Sequence, residues 1–98
     1  MTAGPPAIDI SVEAALFVRD HGGVLFIWTQ RQVCRGRISW RTQMSSKEPG
    51  HLSFQRVFDS EQVEIYLAGG LTPREVTVAL KTFPRRRVVA FWPGCMYQ

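Results

Sequence analysis

At 98 residues with a formal net charge of +4, the chain has room for one domain of modest stability, burying about two thirds of the surface it exposes when unfolded. A hydrophobic fraction of 45% and a charged fraction of 20% exclude a disordered polymer. No apolar run approaches the roughly 20 residues that cross a bilayer, and two cysteines are too few to staple a secreted scaffold.

Residues 1–7 read as a frayed lead-in. Met1 to Ile10 has no basic flank or long apolar core, and Pro5-Pro6 interrupts it, so no signal peptide is expected. The expected compartment is therefore the cytoplasm, with both thiols reduced. Ser11 is a helix N-cap candidate, Glu13 suits the positive end of a helix, and Gly22-Gly23 suits its close. The expected helix covers about 11–21, with Val12, Ala15, Leu16 and Arg19 at helical spacing.

Val24 to Trp28 is a continuous run of apolar residues rich in β-branched and aromatic types, which predicts a strand covered on both faces. Arg37 to Thr42 alternates weakly. Ser45 to Gly50 reads as a polar loop with a Pro-Gly turn. Leu52, Phe54 and Val57-Phe58 predict another strand, and Asp59 to Gln62 a polar turn. Val63, Ile65 and Leu67 alternate with polar neighbours, as do Val76, Val78 and Leu80. Ala68 to Pro73 is a break. Pro84 to Arg87 turns the chain into a last strand, Val88 to Trp92, and residues 93–98 read as a flexible tail. The fold class is α+β: one short N-terminal helix packed on a mostly antiparallel, strand-rich single domain spanning 1–98. No helix lies between strands to make parallel crossovers.

Cys34 stands in Arg31-Gln32-Val33-Cys34-Arg35-Gly36-Arg37. Nearby guanidinium groups favour a thiolate, which is both the metal ligand and the nucleophile. The plainer reading is a small apolar filler in a loop that happens to be basic. Cys95, in Pro93-Gly94-Cys95-Met96, is expected to be an exposed tail thiol able to swing toward Cys34. Two thiols do not close a four-ligand site, but a two-fold dimer would supply four. His21 is expected to end the helix and His51 to lie in a loop. Neither has a partner at ligand spacing.

The arginines fall into two groups: Arg31, Arg35, Arg37 and Arg41, then Arg85, Arg86 and Arg87. With Trp28, Trp40 and Trp92 they could form a nucleic-acid face. No catalytic motif is present: there is no G-x-S-x-G, no phosphate loop and no paired carboxylates on one face.

Ile10-Ser11-Val12-Glu13-Ala14-Ala15, a glycine pair, a strand and Val33-Cys34-Arg35-Gly36 follow one another in an order that resembles the A-type iron–sulfur carrier (HesB/IscA-like) family. In that family an "I-T/S-x-x-A-A" helix leads to a strand and a G-C-x-G loop. The segment Phe58 to Leu67 resembles the family's turn into a "G-V-x-V-x-V-D" strand, and Cys95 lies near its C-terminal C-x-C pair. The outline covers residues 8–70. Val33 stands where the pattern has glycine, and Cys95 stands alone, followed by Met96 and Tyr97. The resemblance implies a HesB-like domain that binds iron or an iron–sulfur cluster through Cys34 and Cys95, as a homodimer, with assembly or acceptor proteins as partners. A basic module for nucleic acid or an acidic protein is the alternative, and a fold kept without a ligand is the third expectation.

Overall fold

Ser11 starts the helix because its hydroxyl accepts from the Ala14 N–H at 3.1 Å. In the computed structural model, which describes residues 6–69, 71, 73–83, 85–93 and 95–97, helix α1 then runs Val12–Asp20. His21 caps its end. The N–H groups of Gly22 and Gly23 return to the carbonyls of Arg19 and Val18, at 3.4 and 2.8 Å, a Schellman closure that the positive φ of Gly22 permits. Gly23 also has positive φ, and a Cβ there would come within 3.1 Å of the Gln62 carbonyl oxygen. That approach lets the Gly23 carbonyl accept from Glu64 N–H at 2.8 Å, tying the helix end to the start of a strand.

The helix buries Ala14 and Val18 and leaves Val12 73% and Leu16 39% exposed. The expected stripe of Val12, Ala15, Leu16 and Arg19 is thus turned partly to solvent, because the small Ala14 side chain allows the closer approach to the sheet. The strands are β1 (Ala7–Ile10), β2 (Val24–Cys34), β3 (Arg37–Ser45), β4 (Phe54–Asp59), β5 (Glu64–Ala68), β6 (Glu75–Lys81), β7 (Arg87–Phe91) and β8 (Met96–Tyr97). β8 falls in the stretch read from sequence as tail, and β1 begins at Ala7, the end of the expected lead-in, and runs through residues given no element. The expected lead-in over residues 1–5, and Pro84, Gly94 and Gln98 of the expected turn and tail, lie outside the described residues.

The strands form two mixed sheets, ordered β1-β6-β7 and β4-β5-β2-β3-β8. The expected mostly antiparallel sheet is met in part, because antiparallel hairpins alternate with parallel pairs. β2–β3, β4–β5 and β6–β7 are antiparallel hairpins, whereas β1–β6, β2–β5 and β3–β8 pair in parallel. Parallel pairing arises without a crossover helix between β2 and β5 because β3 and β4 carry the connection and β5 inserts beside β2.

One face of each sheet meets the other around a single core. Leu25 and Ile27 of β2 lie level with Ile65 and Leu67 of β5. Val76 and Val78 of β6 lie level with Ile8 and Ile10 of β1. All pack with Ala14, Val18, Val63 and Ala90. A bulge between Arg56 and Phe58 lets the consecutive Val57 and Phe58 both pack against this core. Thr42, 1% exposed, donates from Oγ1 to the Ala90 carbonyl and pins β3 to β7 across the two sheets. No helix among the described residues is long and apolar enough to cross a membrane.

Candidate functional site: a basic two-stranded arm

β2 and β3 run on past the body of the domain. β5 pairs with β2 only over Val24 to Ile27, and β8 pairs with β3 only at Arg41 and Thr42. Beyond these positions the two strands pair with each other alone among the described residues, and Gln30 to Trp40 are all exposed. The result is an arm closed by a two-residue turn, with Cys34 paired to Arg37. Arg35 and Gly36 have φ of 53 and 76, the left-handed pair of a type I′ turn, whose twist matches that of the flanking strands. Gly36 takes this conformation freely, whereas Arg35 does so at a cost of about 1 kcal/mol.

Pairing fixes which side chains share a face. On the side continuous with the core lie Arg31 opposite Trp40 and Val33 opposite Ile38. Val33, Ile38 and Trp40 are 59%, 60% and 51% exposed. On the outer side lie Gln30 opposite Arg41, Gln32 opposite Ser39 and Cys34 opposite Arg37. Arg41 Nε donates to Gln32 Oε1. Further down this outer side are Phe26 and Trp28. Phe26 stacks on Tyr66 with ring centroids 5.0 Å apart, and Phe54 meets Phe26 edge-on at 5.2 Å and Trp28 at 6.3 Å. The strand expected to be covered on both faces is therefore buried on one, with half-exposed aromatics on the other. From sequence Phe54 is expected in a strand, and neither it nor Tyr66 is read there as part of a site. Their signal was the alternation of Phe26 and Trp28 with Leu25 and Ile27, which marks two distinct faces.

Cys34 is exposed at the arm tip and Cys95 is buried. The expected tail thiol is thus corrected: Cys95 is 4% exposed, and its N–H and carbonyl exchange hydrogen bonds with Trp92 at 2.9 and 3.1 Å. Burial pushes its thiol pKa up from the ordinary value. It borders a cavity of 290 Å³ shared with Thr29, Trp40, Leu71, Trp92 and Pro93. Because Met96 pairs with Arg41, Cys95 lies level with Trp40. Three residues along the ladder and two strand spacings then separate the cysteines, about 14 Å at standard strand geometry. Their Cα atoms must come within about 7 Å to form a disulfide, so one chain does not bring the two thiols together. Among the described residues, no three His, Cys, Asp or Glu side chains converge on a common point.

Thiol labelling separates the two residues. In the folded protein iodoacetamide should modify Cys34 alone, and in denaturant both. Cys34→Ser should leave no fast-reacting thiol. Because its pKa is raised, Cys95 should stay slow as pH approaches 9.0, its unshifted value, and its labelling should climb only beyond that. Equal rates for the two cysteines at neutral pH would contradict the burial of Cys95.

The two arginine groups occupy different ends of the domain. Arg31, Arg35 and Arg37 are on the arm and Arg41 is at its base, whereas Arg85, Arg86 and Arg87 line a cavity with Ser45 at the far end of β3. From Arg37 to Ser45 the strand alone spans about 26 Å. The single face expected from both groups is replaced by two separate basic regions. His21 closes the helix, with Nδ1 2.7 Å from the Phe17 carbonyl oxygen, and His51 is an exposed loop residue. Compared with protein-family models, curated proteins and solved structures, the chain matches none of them.

Proposed function

We propose that the chain carries iron or an iron–sulfur cluster between partners, using Cys34 at the arm tip as the thiolate donor. The observation that carries this reading is the position of Cys34: exposed, at the end of an arm, on the same side as Arg37. A thiol held there addresses another molecule more readily than its own chain. One copy supplies too few donors, so the cargo is held between two copies whose Cys34 residues meet about a two-fold axis. Without cargo, Arg35 and Arg37 of two such tips repel one another. The negative charge of bound thiolates offsets that repulsion, so dimerisation follows loading. Cys95, the expected second donor, is buried and stands about 14 Å from Cys34 at standard strand geometry, so in this reading the shared cargo rests on the two Cys34 thiolates.

Anaerobic reconstitution with iron and sulfide tests this. Wild-type protein should gain visible absorbance and shift from monomer to dimer in size-exclusion chromatography, and Cys34→Ser should do neither. A colourless wild type sinks the carrier reading.

A second reading rests on a different observation. Arg37 and Arg41 share the outer side of the β2–β3 ladder with Phe26 and Trp28, and no helix covers that side among the described residues. Aromatic faces beside guanidinium groups suit single-stranded nucleic acid, whose bases stack and whose phosphates pair with arginine. If this reading holds, affinity falls steeply with salt and is independent of Cys34.

A further inference from the structure

The net charge of this chain is not spread evenly along it. The chain has 12 lysines and arginines and 8 acidic residues. Residues 30–41, the arm with its base, hold Arg31, Arg35, Arg37 and Arg41 and no acidic residue, which leaves 8 of each sign in the rest of the chain. The whole formal net charge of +4 therefore sits on the arm. Among the described residues the ion pairs involve Arg19 and Arg56, and the guanidinium groups of Arg31, Arg35 and Arg37 take part in no ion pair or hydrogen bond. Arg41 differs, since its Nε donates to Gln32. Like charges gathered on a ribbon that buries nothing repel one another and stabilise nothing within the chain. Their complement is a polyanion.

The shape of the arm narrows the choice. It is two strands wide, it ends in the tight Arg35-Gly36 turn, and no other described strand pairs with it beyond Arg41. The major groove of B-form DNA is about 12 Å wide and admits a two-stranded ribbon, whereas the minor groove is about 6 Å wide. The major groove of duplex RNA is too deep and narrow for side chains to read. The outer side of the arm carries groups that read base edges: Gln30, Gln32, Ser39 and Arg37. Arginine pairs with guanine, glutamine with adenine, and serine with either. Arg41 holds Gln32 by its Oε1, which leaves the amide N–H groups of Gln32 to donate to a purine N7. The inner side carries Val33 and Ile38, which offer no side-chain hydrogen bond. Four steps along the strand, from Gln30 to Cys34, span about 14 Å, the length of about four base pairs.

We propose that the arm enters the major groove of duplex DNA with its outer side toward the bases. Arg37, Ser39 and Gln32 meet base edges, and Arg31 and Arg35 reach the flanking phosphates. This proposal does not depend on the carrier reading. It differs from the single-stranded reading as well, because it needs a groove and not the aromatic rings of Phe26 and Trp28.

Fluorescence anisotropy of the full chain with a labelled mixed-sequence DNA duplex tests it, beside the RNA duplex and the single-stranded DNA of the same sequence. The DNA duplex should bind at least tenfold more tightly than either. Arg31→Gln combined with Arg35→Gln should weaken binding at least tenfold at low salt. It should also flatten the plot of log affinity against log salt by roughly 1.8, about 0.9 for each lost phosphate contact. Arg37→Gln should weaken binding roughly fivefold or more. Ile38→Thr, Cys34→Ser, and Arg85→Gln combined with Arg86→Gln should each stay within twofold of wild type. At saturation, dimethyl sulfate should lose access to guanine N7 in the major groove and keep access to adenine N3 in the minor. The reverse pattern, or a loss of binding in Ile38→Thr, would place the ribbon in the minor groove and overturn the proposal. Equal affinity for single-stranded DNA would move the charge to the aromatic platform and overturn it too. So would equal binding of poly-glutamate, which is attraction to any polyanion, or no saturation by the DNA duplex at about 50 mM salt.

Discussion

Replacing Ile27 by alanine should destabilise the domain by about 2–5 kcal/mol. Ile27 is fully buried at the centre of the larger sheet, level with Leu67 on β5 and Met44 on β3. Truncation removes its apolar area from the core and leaves a void that two flanking strands cannot close without losing their ladders. A domain of this size has roughly 5–15 kcal/mol to lose, so this one change takes a large share. Urea denaturation followed by circular dichroism should show a lower midpoint with an unchanged slope. Val33→Ala, six residues on in the same strand but 59% exposed, should move the midpoint hardly at all. A loss below about 1 kcal/mol at Ile27 would mean that the core does not lie between these sheets.

Thr42→Val should cost about 1–3 kcal/mol, although the two side chains have nearly the same shape. The substitution deletes the Oγ1 donor and leaves the Ala90 carbonyl without that hydrogen bond in a place where water does not reach. Thr42→Ser keeps the donor and should recover most of the loss. The pair of variants therefore separates the hydrogen bond from the packing. Because Thr42 joins β3 to β7, the valine variant should also loosen the joint between the sheets. Faster hydrogen exchange at the amides of β7 reports that loosening. A valine variant as stable as wild type would show that the Thr42–Ala90 bond is not what holds the two sheets together.

The parts of the fold legible in the sequence are those whose burial is local and periodic. Ser11 and the Gly22-Gly23 pair mark the helix ends through backbone chemistry that needs no tertiary partner. Val63, Ile65 and Leu67, and likewise Val76, Val78 and Leu80, alternate because one side of each strand meets the core. The arm does not announce itself in this way. Gln30 to Cys34 bury nothing, so their strand conformation comes from the ladder to β3 and not from an apolar pattern. β1 and β8 are too short to carry a period, and each is a strand only because a distant partner, Val76 or Arg41, lies beside it. Parallel pairing is invisible locally, since which strand inserts beside β2 is decided by packing far along the chain. Of the candidate site, the basic character around Cys34 could be read, as could the role of His21 at the helix end. The separation of Cys34 from Cys95, and of the two arginine groups, depends on register. The cavity beneath Arg85 and Arg86 needs Phe17 of the helix beside Met44 of β3, a pairing of residues far apart in sequence.

The continuity of β2 from Val24 to Cys34 hides a division in how firmly it is held. Its first four residues pair with β5, Phe26 and Ile27 also with β3, and they bury Leu25 and Ile27. Its last five have a ladder on one side among the described residues and bury nothing. A two-stranded ribbon without a packed face is marginal by itself in water, so the outer part of the arm can open and re-form while the core beneath it stays intact. One strand thus spans two regimes of motion, slow at the base and fast at the tip. Cys34 rides on the fast end, where it can sample orientations toward an incoming surface without drawing on the stability of the domain.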